Sequence, residues 1–245
     1  MKIKVINPNV TQSMTDKIGV VARMVAAAST EIIAVSPRHG PVSIEGHYDE
    51  ALSVVGVLDE IRSGEAAGVD AYVLACFGDP GLLAARELAT GPVIGIAEAA
   101  MHAASVLATG FSVVTMQVRS CIMAEHLTHN YGMAKFCRGI HATDLAVLDL
   151  EEPGSDAYRI VLNSCRQALA TDRSGAIVMG CAGMSDLCAR LQDELDVPVI
   201  DGVSAAIKWA EGMVTIGLKT SKKGDLALPI GKLFSGELAR FGQQS

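Results

Sequence analysis

Two stretches of the chain carry a cysteine at the same point of the same local pattern. VDAYVLACFGDPGL fills positions 69–82 and SGAIVMGCAGMSDL fills positions 174–187. Each is a short apolar run, a cysteine, a glycine, and then a leucine-bearing helical pattern. In open parallel sheets, ligands gather beyond the carboxyl ends of the strands. Cys76 and Cys181 both fall there, each ahead of a helix N-terminus whose N–H groups and dipole favour an anion. That setting is expected to lower a thiol pKa and raise the thiolate fraction. If the two halves face each other, the thiols flank one cleft from opposite sides. One thiolate then removes a proton from a stereogenic carbon, and the opposite thiol delivers a proton to the other face. The configuration inverts without a cofactor. General acid/base work needs groups that titrate near the operating pH, and cysteine can be tuned there.

Either cysteine taken singly reads as a small buried hydrophobe. A redox dithiol needs its sulfurs within bonding distance, and no CxxC occurs. Cys121, Cys137, Cys165 and Cys188 fall in helical or irregular patterns and read as structural. Cys181 and Cys188 are seven positions apart with no His pair to complete a zinc site, so no metal is expected.

The elements that must hold these groups alternate strand and helix. Lys2 to Ile6 reads as a strand ending at Asn7-Pro8-Asn9, and Thr11 to Ala28 as a helix with Met14, Ile18, Val21 and Val25 on one face. Glu31 to Val35 is a second strand. It enters the connection SPRHGPVSIEGHYDE, whose length and Gly, Pro, Ser and His content suggest function. A helix over Glu50 to Gly64, a central strand over Ala71 to Ala75, a helix after Pro80 and a strand over Pro92 to Ile96 complete the first half. An alanine-rich helix at 98–108 follows, either an interface or core. The second half repeats the order. Strands span Phe111 to Met116, Gly139 to Leu145, Ala176 to Gly180 and Val199 to Asp201. Helices span Arg119 to Tyr131, Ser155 to Thr171, the stretch through Leu191, and Ser204 to Met213.

The halves also match in residues. GPVIGIAEAA (91–100) aligns with VPVIDGVSAA (197–206) at an offset of 106, and Cys76 with Cys181 at 105. The reading is a duplicated four-strand unit, with parallel sheets and right-handed crossovers. The expected fold is α/β, with two pseudo-symmetric lobes, each a mainly parallel four-stranded sheet flanked by helices, and the site in the cleft between them. Residues 1–97 plus 208–245 form one lobe and 98–207 the other.

The chain has 245 residues, half of them hydrophobic, enough to bury a real core. Its net charge of −7 and lack of a basic block argue against nucleic acid as a partner. The densest basic stretch, Lys219-Thr-Ser-Lys222-Lys223, is either a solvated loop or a loop near an anionic or polar ligand. No leader is visible at MKIKVINPN and no run of ~20 apolar residues occurs, so a membrane is not expected and a cytoplasmic location is.

INPNVTQSMT, GPVSIEGHYDEA, DAYVLACFGDPGLLAARE, GPVIGIAEAA, IVMGCAGMSDL and VPVIDGVSAAIK resemble the hydantoin racemases of the aspartate/glutamate/hydantoin racemase superfamily. Together with the TSK segment, these motifs span positions 6 to about 225. The resemblance implies two pseudo-symmetric lobes with the site between them and a homo-oligomer. It also implies cofactor-independent racemisation by Cys76 and Cys181, each serving as donor or acceptor toward one enantiomer.

Relatives in that superfamily that act on free amino acids tend to place Asn, Thr or Ser after the cysteine. Here the runs are Cys76-Phe77-Gly78 and Cys181-Ala182-Gly183, so the backbone N–H groups of Phe77, Gly78, Ala182 and Gly183 are the donors at hand. They suit the carbonyls of a flat, neutral five-membered ring and its enolate. A 5-substituted hydantoin fits, and so does allantoin; aspartate or glutamate fits less well. Phe77 leans toward an apolar 5-substituent. Further substrate-binding candidates are Asn7, Ser43, Thr115 and Arg119. Asp79 is expected to cap the helix after Cys76, Asp201 to orient backbone near its strand, and Trp209 to be core. Glu45, His39 and His47 are expected in solvent. A two-lobed binder that needs no thiols, and a maleate-isomerase-like enzyme that forms a covalent adduct, are the alternatives from other classes.

Overall fold

The computed structural model describes residues 1–146 and 156–242. Two four-stranded sheets carry the fold. The first is built from β1 (Lys2–Ile6), β2 (Glu31–Val35), β3 (Ala71–Leu74) and β4 (Val93–Gly95), in the order β2-β1-β3-β4. The second uses β5 (Phe111–Thr115), β6 (Cys137–Ala142), β7 (Ala176–Met179) and β8 (Val199–Ile200), in the order β6-β5-β7-β8. Every pairing is parallel. The order is the same in both sheets, as a duplication requires. β3 and β7 are buried at every position because helices cover both of their faces.

The helices are α1 (Gln12–Val25), α2 (His47–Ala66), α3 (Leu82–Leu88), α4 (Ile96–Leu107), α5 (Val118–Asn130), α6 (Ala157–Asp172), α7 (Cys188–Leu195) and α8 (Gly202–Thr215). α2 starts three residues before the expected Glu50, because Asp49 and Glu50 in its first turn favour the positive end of the helix. The connection ahead of it is therefore shorter, 36–46. β6 starts at Cys137 rather than Gly139 and stops at Ala142, with a register shift against β5 at Phe111/Ser112 that absorbs the offset. Cys137 is thus a strand residue. The expected start of a helix at Ser155 lies outside the described residues.

The last helix of each half crosses to the other sheet. From α4, Ala97, Ala100, Met101 and Ala104 pack with Phe111, Val113 and Val178 of the second sheet. From α8, Val203, Ala206, Ile207 and Ala210 pack with Ile3, Val5, Ala71 and Val73 of the first. The alanine-rich segment is core, and only its end, with Val106 and Leu107, is exposed. Small side chains let α4 and α8 lie close together, where the halves exchange helices.

The N-termini of these two helices are capped by the same chemistry from different positions. Asp201 caps α8 from its N-cap position, accepting from the N–H groups of Val203 at 3.0 Å and Ser204 at 2.9 Å. The equivalent residue in the first half is Gly95, with nearly the same backbone (φ −81, ψ 139 against φ −84, ψ 122). There the carboxylate comes from Asp79, which accepts from Ala97 N–H at 3.1 Å and Glu98 N–H at 3.0 Å. Asp79 therefore caps α4, not the helix after Cys76. In the second half Met184 stands at the position matching Asp79, and the next residue, Ser185, hydrogen-bonds Asp201. A Cβ at Gly95 would sit 2.3 Å from Asp79 Cγ, so each lobe has room for one carboxylate and places it from the opposite loop.

Candidate active site

In a sheet ordered β2-β1-β3-β4 the connections diverge between β1 and β3, which opens a crevice at their carboxyl ends. Cys76 emerges there two residues after β3, and Cys181 two residues after β7 at the matching crevice of the other sheet. Both turns have one shape: Asp79 N–H donates to Cys76 O at 2.9 Å, and Met184 N–H donates to Cys181 O at 3.1 Å. The crevices face each other, and a single cavity of ≈ 60 Å³ touches both cysteines. At ~10–15 Å³ per water-sized site, that space holds about as many atoms as a small ring.

Close packing keeps the two loops in place. Thr115, at the end of β5, donates its hydroxyl to Gly180 O at 3.1 Å. A Cβ on Gly180 would lie 2.6 Å from Thr115 Cβ, so glycine is required ahead of Cys181.

Burial pushes the Cys76 thiol up to about 12, and the nearby Cys181, Asp79 and Glu50 add to the rise. A hydrogen bond from Gly78 N–H works the other way but is outweighed. The expected lowering by a helix N-terminus is overturned at Cys76, because α3 begins only at Leu82, beyond a turn. Cys181 does stand at a helix start, as the N-cap of a 3-10 helix over Ala182–Leu187. The coupling also means that ionising one thiol disfavours ionising the other, which suits one acid and one base. None of the six cysteines is in a disulfide. Among the described residues, no group of three His, Cys, Asp or Glu could hold a metal ion.

Of the residues singled out by sequence, Cys76, Phe77, Gly78, Thr115, Cys181 and Ala182 line the cavity. Phe77 also packs on the α4 cluster. Gly183 is buried and does not line the cavity. Asn7 is buried too, and its amide donates to Asn9 Oδ1 at 3.0 Å and Thr15 Oγ1 at 2.9 Å rather than into the cavity. Ser43 donates to Glu45 Oε1 at 3.2 Å. Arg119 is exposed, and reaches toward Gly46 of the loop that follows β2. Glu45 is not in solvent: Gln117 Nε2 donates to it at 3.2 Å, tying that loop to the other lobe. His39 and His47 are exposed as expected. Trp209 is half-buried, edge-on to His102 at 5.6 Å. The Lys219–Lys223 stretch lies away from the cavity; Lys222 Nζ donates to Arg86 O at 2.6 Å and Glu87 O at 3.0 Å, at the end of α3.

Sequence reading missed Asn9, Ile44, Ser120 and Met123, which also line the cavity. Asn9 is the most informative. It is buried, and its Oδ1 accepts from Asn7 and from Thr11 N–H at 2.9 Å, which fixes the amide orientation. Its Nδ2 is left facing Met14 Sδ at 3.7 Å, a weak acceptor. The signal was present in Asn-Pro-Asn, but which asparagine faces inward depends on Thr15, one turn into α1.

The geometry is matched by kinship. The family model described as Asp/Glu/Hydantoin racemase matches residues 3–210. A hydantoin racemase from Rhizobium meliloti is 51% identical over 236 residues, covering 96% of this chain and 98% of its own. Another, from Pseudomonas sp. (strain NS671), is 48% identical over 243 residues, covering 99% and 98%. Among solved structures, an allantoin racemase from Klebsiella pneumoniae is 56% identical, covers 99% of both chains and superposes with a TM-score of 0.97.

Proposed function

The chain belongs to the Asp/Glu/hydantoin racemase family, and we propose that it is a cofactor-independent racemase interconverting D- and L-5-substituted hydantoins through Cys76 and Cys181. The observation that carries the reading is one small cavity touched by two cysteines from equivalent turns of a duplicated fold.

The proposed reaction is two proton transfers. The thiolate of one cysteine takes the C5 proton, and the C5–H electron pair moves onto the adjacent ring carbonyl as an enolate. The opposite thiol then protonates C5 on the other face, and the cysteines have exchanged states. At Cys76, burial makes the proton transfer effective at the cost of population. A thiol raised to about 12 is seldom ionised at neutral pH, but its thiolate is a stronger base toward carbon. Asn9 Nδ2 donates to a ring carbonyl and strengthens that bond as charge builds. The N–H groups of Phe77 and Ala182 serve the same ring. Asn7 acts one step back by aligning Asn9. Gly78 N–H steadies the Cys76 thiolate. Thr115 holds Gly180, Ser43 belongs to the loop that covers the site, and Arg119 reaches that loop from α5, so neither Ser43 nor Arg119 makes a ring contact.

The 5-substituent is met by Met14, Ile44, Phe77, Met116 and Met123. Flexible thioethers fill around apolar groups of different shape, which suits alkyl and aryl hydantoins. Allantoin is the second reading, favoured by the likeness to the Klebsiella pneumoniae allantoin racemase and by Asn9 and Ser120 at the cavity wall. Aspartate and glutamate are disfavoured, because no side-chain donor stands beside either cysteine to hold an α-carboxylate.

The remaining parts of the reading are a small-molecule substrate, a homo-oligomer and a cytoplasmic setting, where thiols stay reduced. Among the described residues, no helix is long and apolar enough to cross a membrane. The proposed lobes are 1–97 plus 208–245 and 98–207, with α8 crossing the second boundary. The test is kcat/KM by polarimetry on D- and L-5-benzylhydantoin, allantoin, aspartate and glutamate. The highest value is expected on the benzylhydantoins. A value at least tenfold higher on allantoin would select the second reading, and activity on the amino acids alone would overturn both.

A further inference from the structure

After α8 no further α-helix follows among the described residues. The chain is tied down where Thr220 Oγ1 donates to Gly91 O at 2.6 Å, and again where Arg240 pairs with Asp59 of α2 at 2.8 Å. Between these anchors, residues 227–235 form an extended strap. Leu228 is 60% exposed, Ile230 83% and Leu233 95%, and Phe234 is partly exposed as well. Four large apolar side chains on one short segment are not what a monomer leaves in water. Pro229 keeps the strap from serving as a central strand.

Beside the second anchor lies a groove of ≈ 1210 Å³ between loop residues 37–41, the outer face of α2 and residues 237–240. Its wall carries Tyr48, Leu52 and Val55, with the carboxylates of Asp49 and Glu237 on the lining. Tyr48 and Leu52 are themselves mostly exposed, and no strap residue of the same chain lines the groove. The charges are complementary. The groove lining carries four carboxylates, Asp49, Asp59, Glu60 and Glu237, against the two cations Arg38 and Arg240. Lys232 sits in the middle of the strap.

We infer that the strap of one chain docks in this groove of a second copy. Strap and groove adjoin on one molecule, so a two-fold axis lets each chain fill the groove of the other and closes the assembly. Leu228, Ile230, Leu233 and Phe234 meet Tyr48, Leu52 and Val55 of the other copy, and Lys232 meets its Asp49 and Glu237. Docking also clamps the 37–41 loop, which leads into Ile44 at the cavity wall.

The test is sedimentation velocity on the full chain, on a strap variant (Ile230→Asp with Leu233→Asp), on a groove variant (Tyr48→Asp with Leu52→Asp), and on their equimolar mixture. All the altered residues are at the surface, and far-UV circular dichroism checks the fold. The wild type is expected as a dimer or a higher even-numbered oligomer, each variant as a smaller species, and the mixture partly restored, because intact strap meets intact groove. Hydroxyl-radical labelling of wild-type Leu233 and Leu52 is expected to fall as concentration rises. A monomeric wild type, variants of unchanged size, an unrestored mixture, or labelling independent of concentration would each overturn the inference.

Discussion

The reactive residues are set by what surrounds them more than by what precedes them in the chain. Cys76 and Cys181 were legible because a duplication marks equivalent positions. The ionisation of Cys76 was not, because its burial and the nearby Cys181 and Glu50 come from the opposite lobe and from α2, which the local motif does not contain. The consequence is measurable. With Cys76 raised to about 12, the thiolate fraction should grow about tenfold per pH unit across the neutral and mildly alkaline range. We expect log kcat/KM to climb with pH between about 7 and 9 with slope near one; a plateau already at neutral pH would show that the thiolate is preformed. Stability has the opposite sign. Cys76, Cys137 and Cys165 ordinarily titrate at 9.0, and burial pushes them to about 12, 11 and 12. Folding favours the protonated thiols, so this stabilisation is complete below 9.0 and is lost as pH rises through the folded values. The urea midpoint should therefore drop above that pH in reducing buffer, and a flat midpoint would refute the shifts. At Asn9, removing the amide in Asn9→Ala should lower kcat/KM about 10–100-fold, the loss of one hydrogen bond to developing charge, and should also cost about 1–3 kcal/mol of stability, because Asn7 Nδ2 and Thr11 N–H lose their acceptor; kcat/KM is therefore read well below the lowered melting temperature. An unaltered kcat/KM would remove Asn9 from the site.

Strands and helices were the more readable level. Apolar runs of four or five residues flanked by Gly and Pro located seven strands within two residues of their ends, and β6 departed because a register shift is a pairing property that its own residues do not display. Caps were harder. Asp79 looked like the cap of the helix following it, yet it caps α4, which begins seventeen residues further on, at Ile96. The two lobes suggest a reciprocal exchange. Asp79→Ser alone strips α4 of its cap, costing about 1–2 kcal/mol. Gly95→Asp alone drives a side chain into Asp79 and crowds two carboxylates, costing about 3 kcal/mol. Together they place a serine in the turn after the cysteine and an aspartate at the helix N-cap, the pair that Ser185 and Asp201 form in the other lobe. A double-mutant cycle by urea unfolding should return a favourable coupling of about 2–3 kcal/mol, and additive losses would refute the equivalence of the two caps.

At the scale of the molecule, the exchange of α4 and α8 binds the lobes into one unit. Each sheet lacks a covering helix until the other half supplies it, so neither half should unfold alone. Trp209, the only tryptophan, reports on this junction from α8 beside His102 of α4. Its fluorescence and the far-UV circular dichroism should trace one coincident urea transition; two separate transitions would mean independent lobes. The duplication announced two similar halves, but the crossing of their last helices depends on which sheet face is left open. The same two-fold logic underlies the central claim, that each half contributes one acid/base group to a shared carbon. The direct measurement is optical rotation of pure L- and D-5-benzylhydantoin in D2O, with deuterium at C5 followed by mass spectrometry, for wild type, Cys76→Ala and Cys181→Ala. Loss of rotation in the wild type, with deuterium entering C5, and a fall of at least about a hundredfold in each variant are the predicted results. Racemisation undiminished in both variants would show that the paired cysteines are packing residues and that the proton moves by another route.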